Sequence, residues 1–203
     1  MTIDTRQLID DILKEINDFD YLQPENIPDL DLYVDQVTTL INNHFPPAKK
    51  LNNDRQLTKT MVNNYAKNHL LPPPNKKKYT KDHIILLVFI NYFKNIISFH
   101  DIQKVLDPIT QRCFGSDQQL SLEKLFRTIF DQRPAMQKAL AEYMEQKLDQ
   151  AENLTKTLCQ DVPEYKDLLE IFTLICTLSI DIYIKKVIIE QLIQTMYDAE
   201  HTP

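Results

Sequence analysis

Glycine is almost absent from this chain, whose 203 residues include only Gly115. Average glycine usage is about 7%, and glycine is the usual residue of tight hairpins and of backbone with positive φ. A chain with one glycine has no glycine-rich loop that could cradle a phosphate. The composition therefore predicts an all-α fold.

Apolar periodicity and proline positions divide the chain into helices. Apolar residues recur at spacings of three and four in segments that begin near Asp4, Asp31, Thr58, Thr80, Ser98, Ser121 and Pro134, and a last apolar helix follows Pro163. We expect the Ser98 helix to be short and to end at Pro108, because an internal proline removes a helical hydrogen bond. The last helix is apolar on most sides and longer than a small domain, which predicts a kink or a dimer interface.

Basic charge is concentrated in one part of the sequence. Residues 49–104 contain eleven Lys or Arg and three acids, whereas the rest of the chain contains twelve bases and twenty-six acids. This asymmetry is typical of a surface for a polyanion on an otherwise acidic body, although a merely solvated basic surface fits as well. A polar, basic loop is expected at 48–56.

Several classes of function have no support in the sequence. The five histidines form no HExxH pair, and the three cysteines have no metal-type spacing. We therefore expect no enzyme activity, no metal and no cofactor. The odd number of cysteines favours reduced thiols in the cytoplasm. The longest uncharged run, Ile171–Ile180, is half the length of a membrane span, and we see no signal peptide.

The stretch Leu57–Leu106 has the pattern of a DNA reader. A helix at 58–68 would bury Met61, Val62 and Tyr65 and present amides, hydroxyls and lysines, groups that can contact base edges and phosphates. A lysine triplet follows three prolines. The residues that we expect to bind DNA are Thr58, Lys59, Thr60, Asn63, Asn64, Tyr65, Lys67, Lys76, Lys77, Lys78 and Tyr79. Ordinary exposed amides and a solubility patch remain alternative readings.

This stretch resembles the DNA-binding domain of MerR-type regulators. The matching pieces, in order, are Thr58, the run Val62–Tyr65, the turn Leu70–Pro73, Lys77 and Tyr79, Leu87 and Ile90, and the run Ile97–Ile102. The whole chain also resembles an uncharacterised, MerR-related family of low-GC Gram-positive bacteria, described as a domain of unknown function. Its most distinctive pieces are LYVDQVT, MVNNYAKN, LLPPP and KKKY.

The resemblance implies a winged helix-turn-helix domain at 27–110 with at most a minimal β wing. An N-terminal helix and linker at 1–26 would precede it, and a helical dimerisation or regulatory bundle at 117–203 would follow. It implies a recognition helix 58–68 in the major groove of double-stranded DNA, a wing 75–79 on the phosphates, and a homodimer without a membrane role. No effector signature is visible.

The sequence departs from the MerR pattern at four positions. Asn63 and Asn64 replace an Arg and a Tyr of the recognition helix, and His69 and Ile96 replace glycines. At His69 the pattern implies a left-handed helix cap, for which His is among the less unfavourable non-glycine residues. These exchanges leave a second reading open, in which the winged helix is a scaffold for protein interaction.

Overall fold

The structure, a computed structural model, describes residues 4–18, 21–44, 56–116, 120–159 and 162–201. Within these ranges the chain forms eight α-helices and one two-stranded sheet, so the prediction of an all-α chain with minimal β structure is confirmed. The basic loop expected at 48–56 lies almost entirely outside the described residues. None of the described helices is both long and apolar enough to cross a membrane.

The helices are α1 (Thr5–Asn17), α2 (Val34–Asn43), α3 (Lys59–Lys67), α4 (Lys81–Phe93), α5 (Phe99–Cys113), α6 (Leu122–Phe130), α7 (Arg133–Leu158) and α8 (Lys166–His201). Strands β1 (Leu32–Tyr33) and β2 (Lys78–Tyr79) pair antiparallel, with Leu32 opposite Tyr79. The chain divides into two compact units. The first comprises residues 1–18 and 132–188, and the second comprises residues 19–131 and 189–203.

Helices α1, α3, α5 and α6 begin where the sequence provides a capping side chain. Asp4 and Thr58 each accept a hydrogen bond from the backbone N–H three residues on, at 3.0 Å and 3.2 Å. Ser98 and Ser121 do the same at 3.1 Å and 3.2 Å. These bonds satisfy N–H groups that have no partner within the helix, which is why the predicted starts of these four helices are accurate.

The second unit is built around α4. Residues 83–91 of this helix are all buried, since the run HIILLVFIN has no charged residue and is apolar on every side. Each neighbouring helix contributes an apolar stripe to the same core. Its members include Val37 and Ile41 of α2, Val62 of α3, Ile102 and Leu106 of α5, Leu122 and Phe126 of α6, and Ile193 of α8.

Two expectations about helix boundaries were wrong. α5 does not end at Pro108 but continues to Cys113, with the proline inside the helix. The side chains of Leu106 and Cys113, on either side of Pro108, are buried in the core. Their burial outweighs the one hydrogen bond that the proline removes. Leu32, expected on α2, instead lies in β1, and α2 begins at Val34.

The first unit contains α1, α7 and residues 166–188 of α8. Arg6 of α1 joins α7 through Asp149 at 2.5 Å and Glu152 at 3.1 Å. The apolar core of the first unit is small among the described residues. The buried members are Met144, Leu148, Ala151 and Leu174.

Candidate functional site

α3 is a short helix with one packed face and one polar face. Val62 is fully buried and Tyr65 is 8% exposed, so both belong to the core. The opposite face is exposed and carries no acidic side chain. It consists of Lys59, Thr60, Asn63, Asn64 and Lys67. Amide, hydroxyl and ammonium groups on a helix whose back is fixed are the groups that read base edges and phosphates in a major groove.

The start of α3 is held by an amide clamp from α2. The side chain of Asn42 donates to the Leu57 carbonyl at 2.9 Å and accepts from the Leu57 N–H at 2.8 Å. Both polar groups of the residue before the Thr58 cap are therefore satisfied by one side chain. This clamp fixes α3 against α2 at a point fifteen residues away in the chain.

The end of α3 has a left-handed cap. His69 has a φ of 59°, as the resemblance implied for the position of the family's glycine. The N–H groups of Leu70 and Leu71 both donate to the Tyr65 carbonyl, at 2.9 Å and 3.2 Å. The two leucines are buried, and this directs the chain away from the helix before Pro72. The other replaced glycine, Ile96, is not among the described residues with positive φ.

A tight turn, Asn75–Lys78, carries the lysine triplet and is named here the lysine turn. The Lys78 N–H donates to the Asn75 carbonyl at 2.9 Å, and the two central residues, Lys76 and Lys77, have φ of 48° and 65°. Positive φ at both central positions is the signature of a type I′ turn, where Asn-Gly is usual. A lysine held there costs about 1–2 kcal/mol because its Cβ crowds the following carbonyl. Both side chains are exposed.

The sheet anchors this turn. Lys78 pairs with Tyr33, and its ammonium lies 5.5 Å from the centre of the Tyr33 ring. Tyr79, one residue further, is buried at 3% exposure and meets the His83 ring edge-on at 5.5 Å. The turn therefore extends from a base that is packed into the core, which fixes the direction of Lys76 and Lys77.

The two tyrosines expected to bind DNA, Tyr65 and Tyr79, are core residues in the structure. The centres of the Tyr65 and Phe99 rings lie 6.5 Å apart. Burial raises the pKa of both Tyr65 and Tyr79. Thr58 has its hydroxyl in the helix cap. The predicted contact residues that remain exposed and uncommitted to packing are Thr60, Asn63, Asn64, Lys67, Lys76 and Lys77.

Sequence reasoning missed three residues that shape this surface. Asp35 forms an ion pair with Lys59 at 2.5 Å, Tyr33 lies under Lys78, and Asn42 clamps Leu57. Each is an ordinary polar residue on or beside α2 when the sequence is read alone. No local pattern marks them, because their partners are brought together only by the fold.

A family described as a domain of unknown function, DUF1836, matches residues 22–129, which is more than half of the chain. The chain belongs to this family. The matched range contains α2 to α5 with both strands, and so includes all of α3 and the lysine turn. Neither the curated proteins nor the solved structures contain a match to the DUF1836 chain described here.

Proposed function

We propose that this DUF1836 protein is a DNA-binding transcription regulator with a MerR-like winged helix-turn-helix. α3 enters the major groove and the Asn75–Lys78 turn contacts the phosphate backbone. The observation that carries the proposal is the pair Lys76 and Lys77, held at positive φ on the tip of an anchored turn. Lysine at positions where glycine or asparagine would be less strained favours a role for the lysine charge.

The arrangement around α3 supports the same function. α2 precedes α3 as the first helix of a helix-turn-helix would, and the Asn42 clamp joins the two. β1 pairs with β2 beside the lysine turn, and this pairing supports the minimal wing that the resemblance implies. A dimer could read two half-sites about 34 Å apart. The proposal therefore includes a cytoplasmic homodimer on double-stranded DNA.

The second candidate is a protein-interaction module that keeps the winged helix as a scaffold. One observation favours it: Lys59, at the start of α3, is already paired with Asp35, so an acidic group occupies part of the basic surface. A carboxylate-rich partner could take the same place at the other lysines. This reading predicts no affinity for DNA.

Replacement of Lys76, Lys77 and Lys78 together by Ala separates the candidates. Alanine has the same Cβ as lysine, so the strain at the two central positions stays while the charge is lost. We expect the parent protein to shift a random duplex at low salt and the triple variant to bind more weakly. The slope of log K against log salt should fall by about 0.9 for each lost phosphate contact.

The matched control removes three exposed lysines from the first unit. Lys14, Lys138 and Lys156 are exposed and lie in α1 and α7, so their replacement by Ala changes net charge equally. This variant should retain the affinity of the parent apart from a small general effect. Absence of any shift by the parent at low salt, or equal weakening by both triple variants, would overturn the DNA proposal.

A further inference from the structure

A cavity of about 360 Å³ lies between α5 and the last turns of α8. Both of its walls belong to the second unit, which comprises residues 19–131 and 189–203. Small-molecule sites in proteins usually enclose about 300–1,000 Å³, so this cavity has the size of a site for a small ligand. The lining residues that decide its chemistry are Lys104, Asp107 and Pro108 of α5 and Tyr197, Glu200 and His201 of α8.

The carboxylate of Asp107 carries a charge that the surrounding protein does not balance. Among the described residues it takes part in no hydrogen bond and no ion pair. Partial burial raises the pKa of Asp107, because loss of water around a carboxylate without a neighbouring cation disfavours its charged form. Asp107 remains exposed, so a ligand can reach it.

The other two charged side chains named above already have partners. An Oε2 atom of Glu200 accepts a hydrogen bond from Arg112 at 2.6 Å. The ammonium of Lys104 donates to the Gln194 side chain at 3.2 Å and lies 5.0 Å from the centre of the Tyr197 ring. One negative charge, that of Asp107, is therefore left for a ligand to balance.

The last turn of α8 adds two acceptors to this carboxylate. The Nδ1 of His201 lies 2.8 Å from the Tyr197 carbonyl oxygen, and since a carbonyl can only accept, Nδ1 carries the proton. In the neutral ring Nε2 is then an acceptor. The rings of Tyr197 and His201 stack with their centres 4.1 Å apart, which holds the imidazole in place. Glu200 contributes its second oxygen, Oε1, because Oε2 is bonded to Arg112.

We infer that this cavity binds a small molecule that has a primary ammonium group and a short apolar chain. A primary ammonium has one positive charge and three N–H donors, which match one unbalanced carboxylate and three acceptors. The carbonyl end of α8 carries a partial negative charge and favours a cation at the same place. The ring of Pro108, which lines the cavity, is a surface for the apolar chain.

Anions and metal ions are less suitable ligands. An anion would need the Lys104 ammonium, which is bonded to Gln194, and it would be repelled by Asp107. No group of three or more His, Cys, Asp or Glu in the described ranges is placed to hold a metal ion. A quaternary ammonium has the right charge but no N–H donor, so it leaves the three acceptors unused.

Titration of the ¹⁵N-labelled full chain with n-butylamine at pH 7.5 tests the inference, with amide ¹H–¹⁵N correlation spectra as the readout. We expect saturable shifts of amide signals of residues 100–111 and 197–201. Two comparison ligands keep the butyl chain: n-butanol lacks the charge, and butyltrimethylammonium lacks the N–H donors. Each should bind at least about tenfold more weakly than butylamine, since charge-assisted hydrogen bonds are the strong ones.

Two variants locate the binding. Asp107→Asn removes the unbalanced charge and should weaken butylamine binding at least about tenfold. Asp31→Asn is the matched control, because Asp31 is exposed in the same unit but does not line the cavity. It should bind butylamine as the parent does.

Absence of saturable shifts in the parent would overturn the inference, as would equal binding of the three ligands. Unchanged binding by Asp107→Asn, or equal weakening by both variants, would overturn it as well. The titration contains no DNA, so its result does not depend on the proposed function. A parent that binds butylamine but no duplex would overturn only the proposed function.

Discussion

The carboxylate of Asp35, in the first turn of α2, lies 2.5 Å from the ammonium of Lys59, in the first turn of α3. Asp35 is at the N-terminal end of α2, where a negative charge is favourable to the helix dipole. Both side chains are more than half exposed. The pair therefore contributes little to stability, and its main consequence for the proposed function is that a carboxylate already neutralises the Lys59 ammonium.

Removal of this competitor should strengthen DNA binding. In Asp35→Asn the ammonium of Lys59 is released and a negative charge next to α3 is lost. We expect affinity for a duplex to rise about two- to fivefold at low salt, since exposed ion pairs of this kind are worth up to about 1 kcal/mol. Fluorescence anisotropy with a labelled random duplex measures the change.

The control for this prediction is Asp29→Asn. Asp29 is also exposed and pairs with a lysine at 3.4 Å, but this lysine, Lys81, lies in α4 and not in α3. Asp29→Asn removes the same charge from the same unit as Asp35→Asn. If the two variants gain equally in affinity for the duplex, the effect is one of net charge and the Asp35–Lys59 pair has no special role.

Lys77→Gly, in the lysine turn, should change the stability of the protein and its affinity for duplex DNA in opposite directions. Lys77 has a φ of 65°, which glycine adopts without strain, so Lys77→Gly should stabilise the protein by about 0.5–1 kcal/mol. The same change removes an ammonium from the tip and should weaken duplex binding. Urea unfolding and anisotropy on one preparation measure both.

Lys78→Gly is the comparison for the lysine turn. Lys78 lies in β2 with extended backbone, so glycine there relieves no strain and should destabilise the protein by about 0.5–1 kcal/mol. A Lys77→Gly variant that is destabilised to the same extent would contradict the claim that Lys77 is strained.

The local parts of this fold could be predicted because their causes are local. The Thr58 cap, the apolar back of α3 and the uninterrupted apolar run of α4 are each set by residues close in sequence. The failure at Pro108 has a different cause. Proline ends most helices, but whether Leu106 and Cys113 are buried on both sides of it depends on contacts that a linear pattern does not contain.

The candidate site divides in the same way. The exposed face of α3 and the lysine triplet are visible in the sequence, whereas the positive φ of Lys76 and Lys77 is not, because nothing local distinguishes a strained turn from a relaxed loop. Tyr79 illustrates the converse problem. An aromatic residue beside three lysines suggests a polyanion surface, yet its pairing with Leu32 places it in the core.

His83 predicts that the protein loses stability at mildly acid pH. Its Nδ1 accepts a hydrogen bond from the Thr80 N–H at 3.1 Å at the start of α4, and burial lowers the pKa of His83 against smaller opposing effects of the Pro73 and Pro72 carbonyls and of Asp82. The unfolded chain, with a pKa near its ordinary value, then binds the proton more readily than the folded chain. Stability is complete above about pH 6.5 and falls as the pH drops below it, by up to about 1.4 kcal/mol per pH unit.

Urea unfolding of the parent and of His83→Gln at pH 7.5 and pH 5.5 tests this. Glutamine can accept from the Thr80 N–H as the third residue of a capping box but does not titrate. The parent should lose more stability between the two pH values than the variant does. Equal losses would assign the acid sensitivity to other groups and remove His83 from the explanation.

The amides of α3 provide a test of sequence recognition. Asn63 and Asn64 are exposed on the polar face, and an asparagine side chain can pair with adenine through two hydrogen bonds, whereas lysine at the turn contacts phosphates of any sequence. Selection from a random duplex library should give the parent a preferred site. Asn63→Ala and Asn64→Ala should lower affinity for that site by about 1–3 kcal/mol while binding to random duplex changes little. Replacement of Lys76, Lys77 and Lys78 together by Ala should lower the affinity for the preferred site and the affinity for random duplex equally. An unchanged site preference in both asparagine variants would mean that α3 does not read bases, and a parent that selects no site would leave phosphate contact as its only DNA activity.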